Sequence, residues 1–262
     1  MSTLALALIA LAALCGLFAL LYFVAKRLDN YGIVDVAWSY AFAPTAAFYA
    51  FAGAGWGPRR AVLAAFVTFW SLRLGTHLLR RVASHHPVED GRYVQLRRDW
   101  AGVFAPKMFG FFQLQAGSIV LLSLPFLLPM ANTAPAFAAL EWLGLALWCV
   151  ALGGEALADA QLAAFKRDPA NKGRVCERGL WAWSRHPNYL GEWLVWVGFL
   201  LMSYNEAYRG VPGLLCVGVI YYFLTRVTGI PLTEQQLLTS KGPAYADYQE
   251  RVPAFWPRRP RR

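Results

Sequence analysis

Apolar runs near ~20 residues recur along this 262-residue chain, the length a helix needs to cross the hydrocarbon core of a bilayer. They fall at roughly 3–25, 33–53, 61–79, 109–130, 137–159, 189–204 and 211–229, the fifth and sixth with polar residues at their ends. The expectation is an all-α, polytopic membrane protein of seven transmembrane helices. Neither an internal repeat nor a long linker divides the chain, so 1–262 reads as one integral-membrane domain. Composition points the same way: 15% of residues are charged and 58% hydrophobic, where a soluble domain carries about 25% charged. The first run lacks a basic leading segment and is too long for a signal peptide. Cys15 follows Leu14, where a lipoprotein site would want a small residue. Four cysteines at 15, 149, 176 and 216 offer neither metal spacing nor a disulfide framework.

A net charge of +10 would suit nucleic acid, but its distribution follows the membrane. If the N-terminus lies outside, segments 26–32, 80–108, 160–188 and 230–262 share one side and hold 20 of the 25 Lys and Arg. The opposite segments hold Arg59, Arg60 and Arg209, while Arg73 and Arg226 lie within spans. That asymmetry puts the C-terminus in the cytoplasm. The terminal "P-R-R-P-R-R" then meets anionic headgroups. Membrane lipids are expected partners and nucleic acid is not, since no binding motif supports it.

The outer loops are short and the inner ones long, polar and aromatic-rich, so function faces the cytoplasm. Ionisable groups at membrane depth are costly and default to functional candidates. Here they are Asp35, Arg73, His77, Glu155, Asp159, Glu192 and Arg226. Arg73 and His77 share one helix face at i,i+4, as do Glu155 with Asp159 and Asn188 with Glu192. The last two pairs flank a loop carrying Lys166, Arg167, Lys172, Arg174, Arg178 and Arg185. Acids and amides suit ribose hydroxyls or a base edge, and Lys and Arg suit phosphates. The stretch "W-S-R-H-P-N-Y-L-G-E-W" (183–193) opens the sixth helix, with Ser184 or His186 as its cap and Pro187 in the first turn; its free N–H groups favour an anion. A nucleotide-like ligand fits this set. No dinucleotide fingerprint, P-loop, nucleophile elbow or HExxH is present, and His85–His86 matches no metal-ligand spacing, so no metal is expected.

Six segments together resemble the steroid 5α-reductase family (3-oxo-5α-steroid 4-dehydrogenases), in its bacterial branch. They are "I-V-D-V-A-W" (33–38), "E-D-G-R-Y-V-Q-L-R" (89–97), "D-A-Q-L-A-A-F-K" (159–166), "G-L-W-A-W-S-R-H-P-N-Y-L-G-E-W" (179–193), "T-G-I-P-L-T-E" (228–234) and "Y-A-D-Y-Q-E-R-V-P-A-F-W-P" (245–257). The R-H-P-x-Y-x-G core and the tyrosine-rich ending are shared with isoprenylcysteine carboxyl methyltransferases. The Asp-Val-Ala-Trp and Glu-Asp-Gly-Arg-Tyr elements, and the Asn of "H-P-N-Y", favour the reductase side.

The resemblance implies a seven-helix fold holding NADPH in a cytoplasm-facing cavity, with a hydrophobic steroid or lipid-like enone arriving from the membrane. Hydride moves to the β-carbon while a donor polarises the carbonyl. It assigns the cofactor to Asp159, Lys166, Asn171, Lys172, Arg174, Arg185, Asn188, Tyr189, Glu192 and Glu234, with Arg92 and Arg97 from the earlier loop. Vertebrate relatives polarise the carbonyl with a Gln-Glu pair and a Tyr; here Val34-Asp35 and His77 fall at those places, and Tyr93 is a third candidate. Asp35, held neutral at depth, His77 and Tyr93 therefore all stand as proton donors. The expected protein is a monomeric multi-pass enzyme, of the inner membrane if bacterial, reducing a Δ4-3-oxosteroid such as testosterone or progesterone. The alternative is an S-adenosylmethionine-dependent methyltransferase of a lipid or prenylated thiol.

Overall fold

In lipid an isolated apolar segment satisfies its backbone internally only as helix, and the apolar runs all fold that way. The structure, a computed structural model, describes residues 1–85, 87–204 and 210–259, with no strand among them. Expectations placed on His86, Arg209, Arg261 and Arg262 fall outside the described residues. The chain divides into two compact units, Met1–Phe137 and Ala138–Arg262, at a point no linker marks in the sequence.

The first unit comprises α1 (Thr3–Leu28), α2 (Ile33–Ala52), α3 (Gly57–His85), α4 (Gly91–Asp99) and α5 (Phe104–Met130). The Ser2 hydroxyl starts α1 by accepting the Ala5 N–H. Lys26 and Arg27 complement its last carbonyls, and Asp29 ends it in the left-handed region at φ 48°. Pro44 breaks the backbone ladder inside α2, because its ring nitrogen cannot donate four residues back. The fully buried Ser71 of α3 makes good the defect: its hydroxyl lies 2.6 Å from the Ser39 carbonyl and 3.3 Å from that of Tyr40, and accepts the Ala43 N–H at 3.1 Å. Gly75 lets the Tyr40 ring lie against α3, for a Cβ there would sit 2.7 Å from it. The Tyr22 ring of α1 packs edge-on against Phe109 and Phe112 of α5, and Tyr49 meets Ser123 of α5 at 3.1 Å. At the far ends of these helices Arg59, 1% exposed, donates to the carbonyls of Asn132, Ala134 and Ala136 and lies over the Trp56 and Phe137 rings.

The second unit comprises α6 (Ala139–Arg167), 3-10 turns at Pro169–Asn171 and Gly179–Ala182, α7 (Pro187–Ser203), α8 (Val211–Tyr222), a π-helical turn (Phe223–Val227), α9 (Ile230–Lys241) and α10 (Pro243–Arg251). Glycines draw α6 and α7 together, as small residues do in membrane helix pairs. A Cβ at Gly144 would meet the Gly198 carbonyl at 2.7 Å, and one at Gly191 the Glu155 Cβ at 2.7 Å. The α7 start matches the expected Pro187 at its first position, but neither expected side chain caps its free N–H groups. His186 is the N-cap residue with no side-chain bond to the helix, and Ser184 accepts the His186 N–H at 3.2 Å instead.

Five stretches are long and apolar enough to cross a membrane: Thr3–Leu28, Gly57–Ser84, Phe104–Met130, Ala139–Arg167 and Val211–Lys241. This helix complement is compatible with an integral multi-pass membrane protein. The remaining two expected spans differ from these in kind. Helix α7 has 17 residues, reaching about 25 Å against a core of about 30 Å; α2 carries Asp35, Ser39, Tyr40, Thr45 and Tyr49 among its apolar positions. Helices α3 and α6 also run beyond the expected 61–79 and 137–159. Their added turns carry Arg80, Arg81, Lys166 and Arg167, good helix formers that need no lipid contact.

Candidate functional site

The loop before α4 and the start of α2 meet in the first unit through two charged chains. In one, Asp35 accepts the Tyr93 hydroxyl on Oδ1 at 2.9 Å and an Arg92 N–H on Oδ2 at 2.8 Å. Arg92 also donates from Nε to Asp90 Oδ1 at 3.1 Å, and Arg81 pairs with Asp90 Oδ2 at 2.5 Å. In the other, Glu89 accepts the Tyr31 N–H at 2.7 Å and Arg97 Nε at 2.8 Å, while Arg97 reaches Asp29 at 2.7 Å and lies over the Tyr31 and Phe104 rings. Asp90 folds the loop into α4 by accepting the Arg92 N–H at 3.0 Å. The Tyr93 ring is 2% exposed. Burial pushes its hydroxyl well above the usual phenol range, and the Asp35 charge adds to the rise. Burial alone would raise the Asp90 carboxyl too, but hydrogen bonds and charge from Arg92, with Arg81, hold it below the usual range.

In the second unit the convergence point is Glu234 on α9. Its Oε1 accepts Arg185 Nε at 2.6 Å, lies 3.1 Å from His186 Nε2 and accepts the Tyr245 hydroxyl at 3.4 Å; its Oε2 accepts Gln249 Nε2 at 2.8 Å. Arg185 also donates to the Gln249 and Val252 carbonyls at 2.9 and 2.5 Å. Tyr189 stacks on His186, ring centroids 5.3 Å apart, and its hydroxyl meets Thr233 at 3.1 Å. Burial lowers the His186 pKa below its ordinary value, against the pull of Glu234. The backbone after α10 completes this knot: Pro253 accepts the Arg185 N–H, and Ala254 and Phe255 accept the Ser184 hydroxyl.

The predicted residues therefore separate into two kinds. Lys166, Lys172 and Arg174 are exposed, and half-buried Asn188 donates to Asp159 at 3.2 Å while accepting the Tyr189 N–H. These keep surface for a ligand. Arg185 does not: at 9% exposure its charge is held by Glu234 and its other donors by main-chain carbonyls, which corrects its assignment to cofactor charge. Glu234 is likewise committed within the protein. Asn171 is buried and closes the turn after α6 through the Phe165 carbonyl, and Glu192 accepts the Trp196 indole at 3.0 Å. Arg92 and Arg97 hold carboxylates of their own unit. Among the three carbonyl-side candidates, Asp35 and Tyr93 are in direct contact. His77 is exposed on α3 without a hydrogen bond or ion pair among the described residues, so it has no partner to orient it. Asp35 accepts hydrogen bonds from Arg92 and Tyr93. Sequence reasoning missed Asp29, Glu89 and Asp90, whose signal was an acid pair set just before two of the arginines. It also missed Tyr245 and Gln249, spaced i,i+4 on α10.

Both clusters lie within the part of the chain that comparison with known proteins covers. Residues 21–252 match the family described as "Protein of unknown function (DUF1295)". The chain belongs to this family. It is also similar to an uncharacterized protein of Schizosaccharomyces pombe, C594.04c, at 29% identity over 258 residues, covering 87% of this chain and 73% of the relative. No solved structure matches. The family match takes in every residue of the Asp35 and Glu234 networks and stops before the Pro253–Phe255 backbone that buttresses Ser184 and Arg185.

Proposed function

We propose that this protein is a membrane reductase that uses NADPH to saturate the C=C of a hydrophobic enone, with Δ4-3-oxosteroids as its substrate class. The observation that carries the reading is the buried Tyr93 hydroxyl, held on Asp35 at 2.9 Å with Arg92 on the opposite carboxylate oxygen. A phenol whose pKa is raised keeps its proton through the neutral range. Its one O–H is given to Asp35 in this structure, and it serves as a donor to an oxygen on which charge develops by turning from Asp35 to the substrate. Asp35 orients that phenol, and Arg92 balances the charge of Asp35, with Asp90 fixing Arg92 from its far side.

The donor set of the second unit fits a phosphorylated dinucleotide. Exposed Lys166, Lys172 and Arg174 suit phosphates, and the Asn188–Asp159 pair suits ribose hydroxyls. When bound, NADPH supplies a hydride. The chain's own task is to bind the enone, polarise its carbonyl through Tyr93, and exclude water while charge collects on the substrate oxygen. The similarity to steroid 5α-reductases in the segments carrying Asp35, Tyr93 and Asn188 supports the same roles.

The same reading has α2 and α7 joining the five longer stretches as spans, with the N-terminus outside and the C-terminus and active site cytoplasmic. The 20 Lys and Arg of the four inner segments support that orientation. Purified protein in lipid, given NADPH or S-adenosylmethionine with testosterone or a prenylated thiol, tests the function. Enone-dependent NADPH oxidation is expected. Binding of S-adenosylmethionine alone, with methyl transfer to the thiol, overturns it. Asn188→Ala is expected to weaken NADPH about tenfold, the loss of about one hydrogen bond.

A further inference from the structure

A second polar group lines the first unit beside the Asp35–Tyr93 pair. Phe111, Gln115 and Ser118 lie on one face of α5, at positions i, i+4 and i+7. Phe111 packs on the Tyr93 ring at 6.2 Å, and Ser118 accepts the Trp38 indole N–H at 2.9 Å. Asp35 and Trp38 are spaced i,i+3 on α2. Gln115 therefore sits on the α5 stripe that faces these α2 side chains, about one helical turn (about 5 Å) beyond Phe111. The Ser118 hydroxyl donates to the Gln115 backbone carbonyl at 2.8 Å and lies 3.5 Å from its side-chain oxygen. With Oε1 turned toward Ser118, the amide nitrogen faces away from it. That nitrogen donates to no group among the described residues, and Gln115 is only half-buried.

An amide with two unused N–H donors, eleven residues into a membrane-length apolar helix, is costly in lipid and is expected to face a polar partner. We propose that Gln115 is a specificity-determining residue: its amide donates to an oxygen of the hydrophobic substrate other than the reacting carbonyl, which the Asp35–Tyr93 pair takes. The Trp38 indole, fixed by Ser118, supplies the flat apolar wall beside it. The ligand class is a rigid apolar molecule with two oxygen functions, one an enone and one a second ketone or hydroxyl. This inference rests on the reductase reading for the placement of the carbonyl.

The test uses full-length protein in lipid with two probes: testosterone, and androst-4-en-3-one, the same skeleton without the second oxygen. Both NADPH oxidation and equilibrium quenching of tryptophan fluorescence are measured. Wild type is expected to favour testosterone about tenfold in KM and in binding, the worth of about one hydrogen bond. Gln115→Leu is expected to remove that preference by weakening testosterone alone, with kcat within about twofold. Gln115→Met, similar in length but without a donor, is expected to do the same, and serves if the Leu variant misfolds. Gln113→Leu tests the rival position, on another face of α5, whose amide nitrogen is buried with no hydrogen-bond partner among the described residues; it is expected to leave the preference intact. Reduction of both ketones with a preference that survives in both Gln115 variants, or is equally lost in Gln113→Leu, overturns this assignment and leaves the reductase reading standing. Binding that shows the Gln115-dependent preference without any reduction overturns the reductase reading and keeps Gln115 as the oxygen contact. Absence of both binding and reduction overturns both.

Discussion

Replacing Glu234 by Ala tests the convergence point of the second unit. Its carboxylate accepts from Arg185, Tyr245 and Gln249 and lies within hydrogen-bond distance of His186, and Arg185 and His186 are 9% and 3% exposed. Removing it leaves a guanidinium charge in a dry setting, a change that generally costs ~3–5 kcal/mol. Arg185 retains the Gln249 and Val252 carbonyls, which places the loss near the lower end, about 3 kcal/mol. For a chain of this size each kcal/mol moves the midpoint by about 2–4 °C, so Glu234→Ala is expected to melt about 6–12 °C below wild type. Melting is followed in detergent at one fixed scan rate, since unfolding of such proteins is commonly irreversible. Hydrogen exchange supplies an independent readout: the Arg185 amide, bonded to Pro253, and the segment 249–256 should exchange faster. Glu234→Gln, which keeps an acceptor, should fall between the two. A Glu234→Ala protein melting within about 2 °C of wild type, with an unchanged exchange pattern, would refute the argument that this carboxylate ties α9, α10 and the α7 start together.

Gly144→Val places a side chain where a Cβ already meets the Gly198 carbonyl at 2.7 Å; prising α6 from α7 is expected to cost about 1–3 kcal/mol, read as a lower melting midpoint, while Gly153→Val, at a position with open space around its Cβ, should melt near wild type. Because burial lowers the His186 pKa from its ordinary 6.5, the folded state prefers the neutral ring, so the stabilisation is complete above about pH 6.5 and is lost as pH falls below it. The drop in melting midpoint from pH 7.5 to 5.5 should therefore be smaller in His186→Gln than in wild type, and an equal drop would show that another group governs it. Tyr93→Phe removes the proposed donor and is expected to lower kcat by about 100-fold or more, the usual worth of a positioned proton donor, with NADPH affinity unchanged; a loss confined to NADPH affinity would move Tyr93 to the cofactor side.

Much of the helical architecture was legible because lipid leaves few options: long apolar runs had to be helices, and Pro187 had to mark the start of one. Chain partners within the polar segments were less legible. Asp35 stood out as a charge at depth, but nothing in its neighbourhood says that Arg92 and Tyr93, nearly sixty residues on, close over it. Arg185 looked like a phosphate ligand by type and position. Only the fold shows that Glu234 and two carbonyls take up its donors. His77 was placed by analogy of position, and α3 leaves it exposed, without a hydrogen bond or ion pair among the described residues. Short helices α4 and α10 were hidden in charged loops, since nine residues each give too little apolar periodicity to read. The repair of Pro44 by Ser71 depends on contact between two helices, which no local pattern encodes.

The central claim is reduction by hydride with Tyr93 as the polarising donor, and isotope transfer tests it most directly. Wild-type protein in lipid is supplied with testosterone and NADPH carrying two deuterium atoms at nicotinamide C4, and the product is examined by mass spectrometry. The account predicts a saturated ketone with one deuterium at the former β-carbon, formed at a rate that Tyr93→Phe lowers without changing the position of the label. Recovery of unchanged testosterone, or of a product whose β-carbon carries no deuterium, would contradict it.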